Sequence, residues 1–373
     1  MKLVIDSKIP FIKGYAELLG ETRYIAGAAI TANDVKDADV LIIRTRTHCN
    51  RQLLEGSNVK FIATATIGYD HIDTAYLAQA HIGWTNCPGC NATSVAQYVR
   101  GCLLNLALDG CWDEGDSFQQ QAAKRLLVES PHAIETLFSK LTLGIVGVGH
   151  VGSQVQKMAE ALGFGKILLC DPPRAEREGG AGFVSLAEVA AHADVISFHT
   201  PLTQAHTSHA TYHLADAAFF ALLQPSAVVI NSSRGEVVDT EALKDALHKH
   251  LLRAAIIDTW ENEPNIDRQL LADAYIATPH IAGYSADGKA NGTRMALQAV
   301  ARHFGIDPSP FHAISAPTLP TDFCYYPQGY GAQYEALRLY DPQRDSVALK
   351  THPENFEALR GAYPIRREKY SLT

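Results

Sequence analysis

Apolar runs of strand length recur along most of the chain, separated by stretches in which apolar residues fall at helical spacing. The first series, Leu3 to Asp6, Val40 to Ile43 and Phe61 to Thr64, encloses helical patterns around Glu17 to Leu19 and Ile72 to Gln79. Such alternation predicts a parallel sheet with helices on its faces. A second series starts at Leu141, with runs at Leu143 to Val146, Ile167 to Leu169, Val195 to Phe198, Val228 to Ile230 and Ala254 to Ile257. These runs are rich in β-branched residues and leave room between them for crossover helices, which predicts a second, larger doubly wound domain.

Two long helical patterns flank that second series, one from about Ala92 to Leu108 and one from about Ala286 to Phe304. If both connect the two domains, the first domain is discontinuous. The expected organisation is a first domain over 1–95 completed by 284–304, and a second over 96–283. The segment 112–139 is polar and weakly patterned, and reads as an insertion. After Asp307 comes a stretch rich in Pro, Tyr and Phe, followed by an amphipathic Tyr334 to Tyr340, so 305–373 is expected to form a small third module. The fold class is therefore α/β: two doubly wound parallel-sheet (Rossmann/flavodoxin-like) domains with a small C-terminal α+β module.

Composition narrows the function. The 373 residues are 47% hydrophobic and 19% charged, with a formal net charge of -8. That surface has no overall attraction for nucleic acid or anionic membrane, so any bound anion needs a local group of cations. No run reaches the length of a membrane span. Asp6 interrupts the apolar N-terminus where a secretory leader would continue. Seven irregularly spaced cysteines suit a reducing cytoplasm better than a disulfide framework. Cys87-Pro88-Gly89-Cys90 lacks the flanking pattern of a redox motif. His199, His206, His209 and His213 are too dispersed to propose a metal site.

The strongest local motif is Gly147-Val148-Gly149-His150-Val151-Gly152. It follows the apolar run Leu143 to Val146 and opens a helical pattern with Val151, Val155, Met158 and Leu162 on one face. A dinucleotide fingerprint requires that context. Gly147 would permit the tight turn, Gly149 the approach of a pyrophosphate, and Gly152 close packing of helix on strand. Asp171 ends the next strand, where an acid accepts hydrogen bonds from a ribose and repels a 2′-phosphate, favouring NAD over NADP.

Three later segments resemble the D-2-hydroxyacid dehydrogenase family: Ile230 to Asp239, Asp258 to Pro264 and Thr278 to Gly283. Their order and spacing match over roughly residues 1 to 305. The resemblance places Arg234, Glu263 and His280 on the family's catalytic residues, and Thr200, Ser232, Ser233, Arg234, Asp258 and Gly283 on cofactor contacts. The chemistry asks for the same residue types. Removing hydride and proton from a 2-hydroxy acid needs a base near neutral pKa, such as His280. Glu263 can fix the tautomer of that imidazole, and Arg234 offers a planar fork to the substrate carboxylate. Taken singly, each residue has an ordinary structural reading; the weight comes from the three together behind a dinucleotide motif.

More narrowly, Met1 to Pro10, Arg44-Thr45, Ala63 to Thr66, Asp70 to Asp73, Pro88 to Ala92, Asp171 to Ala175, His280 to Tyr284, Leu339 to Asp341 and Arg366 to Glu368 resemble one branch of that family. Its members oxidise 4-phosphoerythronate in the synthesis of pyridoxal 5′-phosphate. By that resemblance Thr45, Thr66 and Tyr284 fall on substrate contacts, and 305–373 on a dimerisation module, which implies a homodimer. Thr45 stands where the branch often has Ser, and the insertion departs from its pattern. Arg44-Thr45-Arg46-Thr47 follows a strand, and continued alternation would set both arginines on one face and both threonines on the other. Arg44 is the candidate cation for a substrate phosphate. Two alternatives remain: another enzyme of the family, such as a phosphoglycerate dehydrogenase, or a non-catalytic NAD-sensing protein on the same scaffold.

Overall fold

In the computed structural model the chain is described over residues 1–112, 136–204, 208–318, 337, 340–363 and 366–368. It divides into two compact units. The first comprises Met1–Ala92, Tyr284–Leu319 and Ile365–Glu368; the second comprises Thr93–Gly283, Pro320–Pro364 and Lys369–Thr373.

The first unit is built on a five-stranded parallel sheet of β1 (Lys2–Asp6), β2 (Glu21–Ile25), β3 (Val40–Ile43), β4 (Phe61–Thr64) and β5 (Gly83–Thr85), in the order β2-β1-β3-β4-β5. Leu3 pairs with Val40 and Val40 with Phe61. Both faces are covered, which is why β3 and β4 read as unbroken apolar runs. Leu3, Ile5, Val40, Ile42 and Phe61 pack with Leu297 and Val300 of the helix Ala286–His303. Val4, Leu41, Ile43 and Ile62 pack on the other side with Leu53 and Leu77. The 284–304 segment thus completes the first sheet's core, and the unit is discontinuous in sequence.

The second unit holds six parallel strands: β6 (Thr142–Val146), β7 (Lys166–Cys170), β8 (Val195–Phe198), β9 (Val228–Asn231), β10 (Ala254–Ile257) and β11 (Ile276–Ala277). Their order is β11-β10-β9-β8-β6-β7. Leu143, Ile145, Val228 and Ile256 face a core shared with Val99 and Leu103 of the helix Ala92–Leu108. Val146, Ile196, Val229 and Ile257 face a second core with Val189, Phe219 and Leu243. The chain crosses over at β6, which lies between β7 and β8. Ligands of such sheets bind beyond the strand carboxyl ends at that switch point.

Several expectations need adjustment. Glu17 to Leu19 is a 3-10 turn at Ala16–Leu18, and the helix expected from Ile72 begins at Thr74. Strands β2, β5 and β11 were not anticipated. The described part of 305–373 is shared out: the 3-10 segment Ser309–Ala313 belongs with the first unit, the helices Pro342–Thr351 and Phe356–Gly361 with the second. Most of the 112–139 insertion, and of Tyr334 to Tyr340, lies outside the described residues. No helix among the described residues is long and apolar enough to cross a membrane.

Candidate active site

The fingerprint glycines differ in what surrounds them. Gly147 has φ +87°, and a Cβ there would stand 2.8 Å from the His199 carbonyl; only glycine fits both constraints. At Gly152 a Cβ would lie 2.1 Å from the Gly147 oxygen, so this position lets the helix His150–Leu162 close onto its strand. At Gly149, the helix N-cap, a Cβ would meet nothing within 4 Å. The loop is therefore tight where the chain packs on itself and open at its middle, beside the unpaired N–H groups of a helix N-terminus. His150 is exposed and Val151 half-buried at the start of that helix. Asp171, at the end of β7, accepts from the Val148 N–H at 2.8 Å and caps the next helix through the Arg174 N–H at 2.9 Å. Arg174 is held by Glu178 and by the Val148 carbonyl.

Among the described residues, three hydroxyls at the ends of adjacent strands are buried without a hydrogen-bond partner: Thr200 Oγ1 after β8, Ser232 Oγ after β9 and Thr259 Oγ1 after β10. Buried polar atoms are seldom left unsatisfied, so these await a ligand with polar edges. Together with the open Gly149 and the helix N-terminus, they fit a dinucleotide. Ser233 is buried, its hydroxyl donating to Asn231. His199, beside Thr200, receives or donates one bond to Ser197 at 2.9 Å and is otherwise enclosed; burial pulls its pKa down to about 3, so it is neutral.

The loops after β9, β10 and β11 bring the three candidate catalytic residues into one unit. At Gly235 a Cβ would fall 2.0 Å from the Trp260 carbonyl carbon, so the Arg234 loop packs directly on the backbone that leads to Glu263. Arg234 donates to the Ser233 carbonyl at 2.8 Å. Glu263 accepts from the Trp260 N–H at 2.9 Å and meets His280 Nδ1 with both oxygens, at 3.1 and 2.9 Å. His280 Nε2 has no hydrogen-bond partner among the described residues. Burial alone would raise the Glu263 carboxyl, but His280, the Trp260 N–H and Arg360 outweigh it and hold the pKa below the usual range. His280 itself sits at φ +54°, a conformation that costs a non-glycine residue about 1 kcal/mol or more and is met mainly where surrounding structure enforces it.

Asp258 supplies that enforcement. It is 1% exposed and accepts from the Thr278 hydroxyl (2.7 Å), the Ile281 N–H (2.8 Å) and the Ala282 N–H (3.0 Å), while its carbonyl accepts from the His280 N–H at 2.8 Å. Desolvation raises its pKa despite these bonds. The carboxylate is spent on clamping the His280 loop. Gly283, half-buried, ends that loop.

The other candidates belong to the first unit. Arg44 donates from Nε to the buried Asp6 at 3.1 Å. Thr66 bonds Thr64 (2.6 Å) and the Gly68 carbonyl (2.9 Å). Tyr284 lies under the Lys289 ammonium, 4.8 Å from the ring centroid. The alternation expected for Arg44 to Thr47 is not found. The chain turns there, with Thr47 N–H to Arg44 O at 3.4 Å, so Thr45 is exposed whereas Thr47 is 2% exposed and donates to the Gly27 carbonyl. A turn breaks the two-residue period on which that expectation rested.

Sequence reasoning also missed Arg360, 3.6 Å from Glu263. No local motif marks it, because it arrives from a helix nearly a hundred residues downstream. Cys87 and Cys90 are buried and unbridged. Burial lifts Cys90 to about 12 and Cys87 further, which makes both poor nucleophiles. Of the dispersed histidines, His206 lies outside the described residues, and His209 and His213 pair with Glu176 and Glu261. The described residues contain no metal-binding cluster.

Comparison with known proteins agrees with this architecture. Residues 106–282 match the family described as D-isomer specific 2-hydroxyacid dehydrogenase, NAD binding domain. An erythronate-4-phosphate dehydrogenase of Bacteroides thetaiotaomicron is 49% identical over 99% of this chain and 97% of its own length. One from Porphyromonas gingivalis is 41% identical over 100% of this chain and 95% of its own. Among solved structures, D-lactate dehydrogenase with NAD+ from Lactobacillus jensenii has a TM-score of 0.61 at 25% identity, covering 85% of this chain and 100% of that one. The chain thus belongs to the erythronate-4-phosphate dehydrogenases, within the NAD-dependent D-isomer specific 2-hydroxyacid dehydrogenase family.

Proposed function

We propose that the protein oxidises the 2-hydroxyl of 4-phospho-D-erythronate to (R)-3-hydroxy-2-oxo-4-phosphooxybutanoate, with NAD, in pyridoxal 5′-phosphate biosynthesis. The observation that carries this is the imidazole of His280, with Nδ1 on Glu263 and Nε2 without a hydrogen-bond partner among the described residues, in a chain so close to erythronate-4-phosphate dehydrogenases.

NAD, when bound, would supply the acceptor for the hydride of C2. The protein's part is to hold the acid and move the proton. The Glu263 carboxylate requires the proton of the neutral ring to sit on Nδ1, which leaves a lone pair on Nε2. Nε2 takes the hydroxyl proton, and the resulting imidazolium is stabilised by the same carboxylate. Arg234 receives the substrate carboxylate and, in the reverse direction, polarises the keto oxygen. Asp258 acts through its grip on residues 278–282, keeping His280 in its strained conformation. Thr200, Ser232 and the Gly147–Gly152 loop would hold the cofactor, and Asp171 would disfavour a 2′-phosphate. Arg44, Thr45, Thr66 and Tyr284 serve the substrate.

The protein is read as a cytoplasmic homodimer, with 305–373 as its dimerisation segment. The test is steady-state turnover with NAD on a panel of hydroxy acids. Higher kcat/KM on 4-phosphoerythronate than on 3-phosphoglycerate supports the reading; the opposite preference overturns the substrate but not the reaction.

A further inference from the structure

Arg234 and Glu263 stand on loops that follow β9 and β10, and a third segment, which follows β8, touches both. The His213 N–H donates to the Glu236 carbonyl at 2.7 Å, the Ala215 N–H to the Val237 carbonyl at 3.0 Å, and the Asp239 N–H to the Ala215 carbonyl at 3.1 Å. These bonds lay residues 213–215 alongside 236–239, directly after Arg234. The His213 side chain then reaches the other loop. Its Nε2 lies 2.8 Å from Glu261 Oε1, two residues before Glu263, and the carboxylate can only accept, so the ring nitrogen donates. Its Nδ1 stands 3.3 Å from Asp239 Oδ2.

Both carboxylates are held a second time. Asp239 Oδ1 accepts from the Glu241 and Ala242 N–H groups at 3.0 and 3.1 Å, and Glu261 Oε2 from the Thr240 N–H at 3.1 Å. They are thereby fixed on the N-terminus of the helix Thr240–His248. The Tyr212 ring covers the imidazole, with centroids 4.1 Å and planes 15° apart. The contacts close a circuit. A backbone bond joins His213 to Glu236; a Cβ on the adjoining Gly235 would lie 2.4 Å from the Glu261 nitrogen, so those loops touch; and Glu261 returns to His213 through its side chain. Neither loop can slide on the other without breaking a link. His213 holds φ +50°, a left-handed conformation that is strained for a residue with a Cβ and persists where surrounding contacts enforce it. All of these residues lie within the second unit.

We infer that His213 is a positioning residue for the dehydrogenase reaction: it sets the Arg234 loop against the loop of Glu263, and so the fork for the substrate carboxylate against the acid that orients His280. It acts through Glu236 and Glu261, not on the substrate. A displacement of about 1 Å in such a constellation costs roughly a hundredfold in rate, so a clamp between the two loops bears directly on turnover. The inference rests on the roles given to Arg234, Glu263 and His280, not on the identity of the hydroxy acid.

The experiment compares wild type, His213→Leu and His213→Gln. The Gln amide carries an N–H donor near the position of Nε2 and can keep the bond to Glu261; Leu cannot donate. Steady-state kinetics with 4-phosphoerythronate and NAD are measured well below the Tm of each protein, beside a fluorescence titration with NADH. His213→Leu should lose about ten- to a hundredfold in kcat/KM with the NADH dissociation constant within a few-fold of wild type, and His213→Gln should regain most of the loss. A His213→Leu enzyme within a few-fold of wild type in kcat/KM, even with a lowered Tm, overturns the inference and leaves His213 a support for the turn and helix end. Equal losses in the two variants also overturn it, because the bond to Glu261 would not carry the effect. If the wild type turns over another acid of the panel in place of 4-phosphoerythronate, the proposed substrate falls, and the same comparison on that acid decides the positioning role.

Discussion

Replacing Glu263 by Gln tests the electrostatic core of the site with little change of shape. The amide oxygen of Gln can still accept from Nδ1–H, so ring and tautomer are kept while the charge is lost. In the wild type both carboxylate oxygens lie within 3.1 Å of Nδ1, and the pair is largely enclosed, with side-chain exposures of 28% and 18%. A charge-assisted hydrogen bond of this kind contributes about 1.5–3 kcal/mol, and stabilisation of the developing imidazolium on that order is lost with the charge. Arg360, 3.6 Å from Glu263, already offsets part of the carboxylate's charge, which favours the lower end of that range. The direction follows from the protonation states. Oxidation needs unprotonated His280, and removing the anion destabilises the protonated form. The plateau of kcat/KM for oxidation should therefore fall about ten- to a hundredfold, because the developing imidazolium is less stabilised. The assay is NADH formation from 4-phosphoerythronate across pH at low substrate. A plateau within a few-fold of wild type would refute the electrostatic role and leave Glu263 a purely geometric support.

Three further outcomes are expected. Asp171→Ser keeps a helix-capping oxygen but removes a charge, so the ratio of kcat/KM for NAD over NADP should narrow; equal wild-type efficiency with both cofactors would contradict the assignment. Gly235→Ala places a Cβ 2.0 Å from the Trp260 carbonyl carbon and should cost about 1–3 kcal/mol in denaturant unfolding, with lower kcat as the Arg234 loop is displaced from Glu263; unchanged stability and rate would refute that packing argument. Light scattering at micromolar concentration should give the mass of a dimer, and a monomer would remove the role proposed for 305–373.

What could be read from the sequence was local and periodic. β3, β4, β8 and β10 are buried on both faces and therefore stand out as apolar runs. The helix Ala92–Leu108 needed only its spacing of apolar residues. β2 escaped because Glu21–Ile25 sits at a sheet edge and is only partly buried, and β11 because two residues carry no period. At Arg44 to Thr47 a turn replaced the assumed alternation. The fingerprint could be read from its spacing, part of which answers to a local contact, Gly152 on Gly147, whereas the His199 carbonyl that crowds Gly147 is distant in sequence. Arg234, Glu263 and His280 could be named from motif and chemistry, but the bonds that define their work could not. For Asp258 the family resemblance implies a cofactor contact, but the bonds of its carboxylate to the Ile281 and Ala282 N–H groups beside His280 are not announced by any local motif. Arg360 reaches Glu263 from far away in sequence, and no spacing rule points to it.

The most direct test of the account is His280→Asn, assayed with 4-phosphoerythronate and NAD beside a fluorescence titration with NADH. Asn keeps a polar side chain at this position but cannot take a proton near neutral pH. The account predicts turnover reduced by a factor of about a thousand or more, with the NADH dissociation constant within a few-fold of wild type. Turnover within a few-fold of wild type would show that His280 is not the base, and the reading of the Glu263–His280 pair as the centre of the chemistry would be wrong.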